Sequence, residues 1–491
     1  MPANLMPTGA EMQRFLPEII LTGVATLLML LEAVLSRRWQ RAFGHISIAA
    51  LVGGIAASVY AYSAPGAAFS GMLMVDGFAT FFRVLVMTVG ILTVFASYRY
   101  LTRESAETGE YHALLLYSIV GQSVMVTAND LMMIFIGLEI SSIASYVLAG
   151  YLRDDKRNNE SALKYFLLGS FATAFFLYGV ALVYGMAGST NLAAIRGLIE
   201  SGQGSPSPAI LGISAALMFV GLAFKVSGAP FQIWAPDVYQ GAPAPVSAFL
   251  SAGPKAAAFA IFLRIFMTAF EPIARGWEPM VWLSALLSMT IGNFAALTQS
   301  NVKRMLAYSS IAHAGYVLVA LTARSQLGTA AAMFYLAAYA LMNVGAFAVV
   351  VHLSGKGERF TAIDDFAGLG VRQPVTAALL SVFLLSLIGV PLTAGFFGKF
   401  YIFRAALQSH LVWLSVLGLI NSAVAAYYYL RIMVMMYMHE PSEAVKLAEP
   451  LPFGIGAALV LPALGTLVLG IFPTVLLRFA DVSAGALFAR F

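Results

Sequence analysis

Six titratable side chains, Glu139, Lys164, Lys225, Lys255, His313 and Lys399, fall within stretches that are otherwise almost wholly apolar. A charge at the centre of a membrane-spanning helix costs about 2.5–3.5 kcal/mol on insertion scales, so each needs a use or a partner. Carboxylate, ammonium and imidazole groups spaced one or two per span suit proton carriage. A lysine acts as a carrier only if its pKa drops from about 10.4 to about 7 during part of a cycle, roughly 4.6 kcal/mol. Burial supplies part of this. One charge arriving at about 4 Å supplies on the order of 4 kcal/mol at an effective dielectric near 20. The structural alternative is a buried ion pair that fixes helix packing. For Lys164, four residues past the polar run RDDKRNNE, it is snorkelling to the interface, and for His313 a hydrogen bond to a neighbouring helix. Arg83, Arg264 and Arg431 read as interfacial or paired groups without chemistry, and Glu32 as an ion-pair partner of the nearby basic loop Arg37 to Arg41.

The elements that position these groups are membrane helices. Of 491 residues 60% are hydrophobic and 10% charged, against roughly 45–50% and about 25% in soluble domains. With no cysteine in the chain, disulfide frameworks, thiolate metal sites, iron–sulfur ligation and cysteine nucleophiles are excluded. The net charge of +5 is spread over short loops and makes no nucleic-acid footprint. Stretches long enough to cross ~30 Å of hydrocarbon fall at 15–36, 42–63, 77–98, 112–128, 131–150, 160–186, 208–240, 245–270, 279–298, 305–322, 327–353, 374–408, 410–438 and 452–477. The expected fold is therefore an all-α polytopic membrane protein with about fourteen helices, the first a retained helix rather than a cleaved leader. One set of alternate loops holds fourteen Lys and Arg residues and the opposite side seven, which places both termini on the non-cytoplasmic side.

Two spans carry helix breakers beside a lysine. The seventh contains KVSGAPFQIWAPDVYQGAP (225–243), with Pro230 and Pro236; the twelfth contains LIGVPLTAGFFGKF (387–400), with Gly389, Pro391 and Gly395. Irregular backbone at membrane depth persists only where it is buried in protein or lines a wet cavity. Interruptions five spans apart are the mark of inverted repeats with an ion site between them. The expected organisation is a single membrane domain: three flanking helices in 1–111, a first repeat 112–270, an inverted second repeat 279–438, and a C-terminal flanking helix 452–477.

The stretch KVSGAPFQIWAPDVYQGAPAPVSAFL, the segment LAYSSIAHAGY (306–316) and an intramembrane Glu followed by Lys in the next span closely resemble the antiporter-like subunits of proton-pumping NADH:quinone oxidoreductase, respiratory complex I, along the whole chain. The form PDVYQGAP with AYSSIAH, and a lysine at 399, resemble the N branch, homologous to the plant and cyanobacterial B subunit, rather than L or M. This resemblance implies proton translocation coupled to quinone reduction elsewhere in a complex. It implies Glu139 and Lys164 as an ion pair, Lys225 as central carrier, Lys255 and His313 as connecting groups, and Lys399 nearest the exit. It also implies a bacterial inner membrane location, other membrane subunits as partners, and NAD, FMN, iron–sulfur clusters and quinone in those partners. No dinucleotide fingerprint or P-loop and no metal-binding cluster is present in the sequence, so no cofactor is expected in this chain. The competing readings are a cation/proton antiporter, stand-alone or Mrp-type, and a purely structural membrane subunit.

Overall fold

The computed structural model describes residues 6–34, 40–202 and 207–488, with the side chains of residues 40 and 41 left aside. In chain order the helices are α1 Gly9–Arg14, α2 Leu16–Val34, α3 Gln40–Tyr62, α4 Gly77–Glu104, α5 Gly109–Thr127, α6 Leu131–Ala149 and α7 Lys156–Ala187. There follow α8 Leu192–Ser201, α9 Pro208–Val226, α10 Trp234–Gly241, α11 Ala244–Arg264, α12 Ala274–Leu297, α13 Val302–Thr322 and α14 Gln326–Leu353. The last are α15 Leu369–Arg372, α16 Pro374–Ile388, α17 Ala394–Gln408, α18 Val412–Met438, α19 Glu443–Leu447, α20 Phe453–Ile471 and α21 Pro473–Phe488.

Among the described residues, twelve helices are long and apolar enough to cross a membrane. The two other expected spans fall on α5, whose 19 residues include Glu110, His112 and Gln122, and on the interrupted pair α16 and α17. The all-α expectation needs one addition, an antiparallel hairpin of β1 Gly66–Ala68 and β2 Leu73–Val75. The last expected span, 452–477, is shorter than the sequence suggested: α20 stops at Ile471, and Pro473 opens α21 instead, as proline suits a first helical turn. Arg37 and Arg38, which entered the charge count and the expected pairing of Glu32, lie outside the described residues. Glu32 accepts a hydrogen bond from the Gly109 backbone.

Three of the helices that carry the titratable groups, α6, α7 and α13, start on side-chain caps. Asp130 accepts from the amides of Met132 and Met133 at the head of α6, and Asn301 accepts from Arg304 at the head of α13. Asp155 does the same for α7 through Arg157. Such caps satisfy amides that have no partner in the first turn. Burial works to raise the Asp155 carboxyl, but hydrogen bonds from the Arg157 side chain and backbone outweigh it and hold the group below the usual carboxylate range.

α11, α13 and α14 are almost entirely buried and form the centre, while α2, α7, α18 and α20 present broad apolar faces outward. Close crossings are set by glycine. A Cβ at Gly121 would stand 2.3 Å from the Ser141 amide, and one at Gly137 2.8 Å from the Met125 amide, so α5 and α6 touch backbone to backbone. α12 and α13 meet in the same way, with a Cβ at Gly292 2.6 Å from the Ala312 amide and one at Gly315 2.8 Å from that of Met289. Small residues at such crossings let membrane helices approach by van der Waals contact where no hydrophobic drive exists.

Both interruptions occur at the expected places, although not at every expected residue. α9 ends at Val226, Ser227 takes a left-handed conformation, and the chain is non-helical until α10. Pro236 is not a breaker, because it sits in the first turn of α10, where a missing amide hydrogen costs nothing. In the second interruption Gly389 has φ 96° and Leu392 φ 70°. Gly395 lies inside α17 and serves contact: a Cβ there would fall 1.8 Å from the Ser386 carbonyl oxygen.

Candidate functional site: a buried row of lysines, tyrosines and histidine

Glu139, Ser142 and Tyr146 stand on one face of α6 at i, i+3 and i+7. Lys225, in the last turn of α9, reaches this face: its Nζ donates to Ser142 Oγ at 2.7 Å and to Tyr146 Oη at 3.1 Å. Oε1 of Glu139 is buried and makes no hydrogen bond within the chain. Lys164 is elsewhere. Its Nζ lies 2.6 Å from Glu160 Oε1 and 2.8 Å from Asp237 Oδ2, and its side chain is 41% exposed. The expected Glu139–Lys164 ion pair is therefore not formed. The reason is vertical position: α6 and α7 run antiparallel, Gly150 approaches Ala162 and Tyr146 packs on Tyr165. Lys164 is thus level with the end of α6, about 12 Å along the axis from Glu139 at 1.5 Å per residue. The cation brought within a turn of Glu139 is Lys225.

A small cavity of about 10 Å³, lined by Ser142, Ser145, Tyr165, Lys225, Trp234 and Pro254 among others, runs from Lys225 toward α11. This is about the space one water needs. Lys255, the residue after Pro254, is 2% exposed. Its Nζ donates to the Ser310 carbonyl at 3.1 Å and also contacts Ser310 Oγ. Pro254 blocks the helical bond to the Leu250 carbonyl, and that oxygen accepts from Tyr239 Oη instead.

α13 carries the row onward. Ser309, His313 and Tyr316 share one face of it, and His313 is 2% exposed. One ring nitrogen of His313 bonds to Tyr335 Oη, and Nε2 lies 3.0 Å from Tyr429 Oη, which also meets Ser309 Oγ. The His313 ring packs on Tyr316 at 5.6 Å. Lys399 Nζ sits 4.8 Å above the Tyr316 ring and donates to the carbonyls of Leu387 and Ile388 and to Ser422 Oγ at 3.0, 2.9 and 2.8 Å. The second interruption thus supplies the acceptors that hold this ammonium.

Lys225, Lys255, His313 and Lys399 are brought into one row; Glu139 lies beside its start, and Lys164 does not join it. Sequence reasoning missed Tyr146, Tyr316, Tyr335 and Tyr429, which link the row, and Asp237, which holds both Lys164 and Arg304. An acid in the first turn of the helix that follows a lysine-linked break was a usable signal for Asp237. Arg83 pairs with Glu18, Arg264 with Asp76, and Arg431 donates to the Gln299 carbonyl, so each has a structural partner. A buried polar hub lies at the basic-loop end, where Glu358 accepts from Lys303 Nζ, Tyr100 Oη and the Ala244 amide at 2.6, 2.7 and 2.6 Å. Among the described residues no group of three or more His, Asp or Glu is placed to hold a metal ion.

Helices broken at membrane depth, each beside a lysine and joined by a polar row, define a membrane protein of the ion-translocating antiporter type. The chain belongs to the NADH:quinone oxidoreductase/Mrp antiporter transmembrane family, whose model matches residues 128–425. It is 70% identical to NADH-quinone oxidoreductase subunit N 1 of Solibacter usitatus, over 99% of this chain and all of that one. It is 44% identical to subunit N of Trichlorobacter lovleyi over 95% of each chain. Among solved structures it is similar to a chain of respiratory complex I from Thermus thermophilus, with 35% identity, TM-score 0.81, and coverage of 95% of this chain and 99% of that one. A chain of the Mrp complex from Dietzia, 21% identical with TM-score 0.82, shares the fold over 96% of this chain and 98% of that one.

Proposed function

We propose that this chain is the proton-translocating N-type subunit of a bacterial NADH:quinone oxidoreductase, with Glu139, Lys225, Lys255, His313 and Lys399 as the groups that load, relay and release the proton. The observation that carries this reading is the row from Lys225 to Lys399, buried at every titratable position beyond its first lysine and assembled around two broken helices. Hydroxyls of Ser227, Tyr316 and Tyr339, and Oε1 of Glu139, are buried without a partner in the chain; an unsatisfied polar group costs about 1–3 kcal/mol, which favours bridging water at these points. A charge change at Glu139, one turn from the Lys225 contact, alters the field at Lys225 and loads or unloads it.

In this reading the chain is a non-redox subunit: NAD, FMN, iron–sulfur clusters and quinone reside in partners, and other membrane subunits and lipid cover its outward apolar faces. It sits in the bacterial inner membrane with fourteen spans and both termini on the non-cytoplasmic side. Residues 112–270 and 279–438 are inverted repeats, a reading supported by the matching glycine crossings of α5 with α6 and of α12 with α13. Lys164 acts at the rim, through Asp237.

The test is proton pumping by the reconstituted complex. Lys225→Ala and Glu139→Ala each lower pumping at least about 10²-fold, the lower range for loss of a proton-transfer group, with assembly intact; normal pumping by both refutes the reading. Cation flux by the purified chain in liposomes without any redox partner would instead select a cation/proton antiporter.

A further inference from the structure

Two cavities approach Lys225 from the basic-loop end without joining. The outer one, about 290 Å³, is lined by charged groups including Arg157, Glu160, Lys164, Asp237 and Arg304. The inner one is the water-sized space beside Lys225 and Ser142. It is walled by Tyr165 and Trp234, 3% and 2% exposed and stacked at 4.5 Å with their planes 8° apart, in the two helices whose Lys164 and Asp237 line the outer one. Trp234 also stacks on Phe224 at 5.3 Å, and its Nε1 donates to the Phe224 carbonyl at 2.9 Å. Both residues line the Lys225 cavity, and neither lines the outer space.

The rings are tied to the outer ion pair by chain geometry. Tyr165 directly follows Lys164 on α7, and Trp234 lies one turn before Asp237 on α10. Two bonds join α7 to α10 nearer the loop, Ser161 Oγ to the Val238 carbonyl and Asn158 Nδ2 to the Gly241 carbonyl, each at 3.0 Å; the bond from Lys164 Nζ to Asp237 Oδ2 at 2.8 Å is the charged clamp at the level where the two rings touch. Asp237 is held from the other side by Arg304 at 2.6 Å. α10 has only eight residues, with the interruption after Val226 before it and Ala242–Pro243 after it, so it can tilt as a unit.

Accepting the proton-translocating reading, we propose that the Tyr165–Trp234 stack is the gate through which water, and with it a proton, passes from the charged vestibule to Lys225. Asp237 is the positioning residue that latches it shut. Release of Asp237 from Lys164 lets α10 tilt, parts the rings and joins the two cavities; re-pairing closes them and isolates a loaded Lys225 from the side it came from. Lys164 thereby contributes to the cycle without entering the row.

The absence of native cysteine allows a direct test in the assembled complex in membrane vesicles. Ser145→Cys places one thiol on the inner cavity. Silver ion, small enough for a water-sized space, is added at the basic-loop face, and the thiol remaining with time is read by alkylating the denatured chain and weighing it. In the Ser145→Cys parent the thiol reacts slowly. Asp237→Asn, Lys164→Gln and Trp234→Ala each raise the rate about tenfold or more, as a minor open state becomes the main one. Trp234→Phe, which keeps a stacked ring, stays near the parent. A parental rate in both Asp237→Asn and Lys164→Gln overturns the latch, and a parental rate in Trp234→Ala overturns the gate. Either failure leaves the loss of pumping in Lys225→Ala untouched, so the gate and the pump are judged separately.

Discussion

Lys399 Nζ lies 2.9 Å from the carbonyl oxygen of Ile388, the last residue before the interruption in its own span, and 3.0 Å from that of Leu387. The ammonium is therefore both a candidate proton carrier and the donor that completes a broken helix.

Lys399→Ala takes the ammonium donor from both carbonyls and leaves Ile388 only the longer bond from Ser422 Oγ at 3.3 Å, at about 1–3 kcal/mol for a carbonyl left unpaired. The expected result is a clear fall in the thermal unfolding midpoint of the detergent-solubilised chain together with loss of pumping. Lys399→Gln can still donate and restores most of the midpoint but none of the pumping. Recovery of both by Gln would remove proton carriage from Lys399.

His313→Phe breaks the row between Ser309 and Tyr316 and should lower pumping about 10²-fold or more, as for loss of a proton-transfer group. Tyr111→Phe removes a buried hydroxyl that bonds Ser97 Oγ at 2.7 Å on the N-terminal side of the molecule, outside the row, and should leave pumping near the parent. Equal effects of the two changes would show that packing, not relay, accounts for the loss.

Glu358→Ala strips the acceptor from Lys303, Tyr100 and the Ala244 amide at once. Breaking a buried pair by removing one partner costs about 3–5 kcal/mol, read as a large drop in unfolding midpoint. Lys303→Met in the same chain should recover part of it by removing the stranded ammonium, and a midpoint unchanged by Glu358→Ala would contradict the hub.

Gly121→Ala and Gly292→Ala push a methyl against backbone amides 2.3 and 2.6 Å away and should each destabilise by roughly 1–3 kcal/mol, as overpacking does. Gly185, with nothing within 4 Å of its would-be Cβ, is the control: Gly185→Ala should be neutral or stabilising by about 0.5–1 kcal/mol. Unfolding in a denaturant series separates these outcomes.

The membrane helices, their two interruptions and the row lysines are legible in the sequence because each rests on a local cost: apolar length, a missing amide, or a charge in hydrocarbon. Partnership is not local. Lys164 finds Asp237, 73 residues away, only because the first interruption turns α10 toward the rim of α7. Tyr335 and Tyr429 could not be picked from 21 tyrosines without knowing which faces of α14 and α18 meet His313. Lys303 reads as a loop cation, yet it is 1% exposed, because the loop carrying Glu358 folds over it.

Lys399 is held by peptide oxygens and a serine hydroxyl rather than by an acid, so as the proposed carrier it would alternate between one positive charge and none. At no stage does it present an anion to what departs. On the reading proposed above, a proton that leaves Lys399 parts from a neutral amine and not from an anion, so only the amine lone pair and the peptide oxygens around it compete for its return.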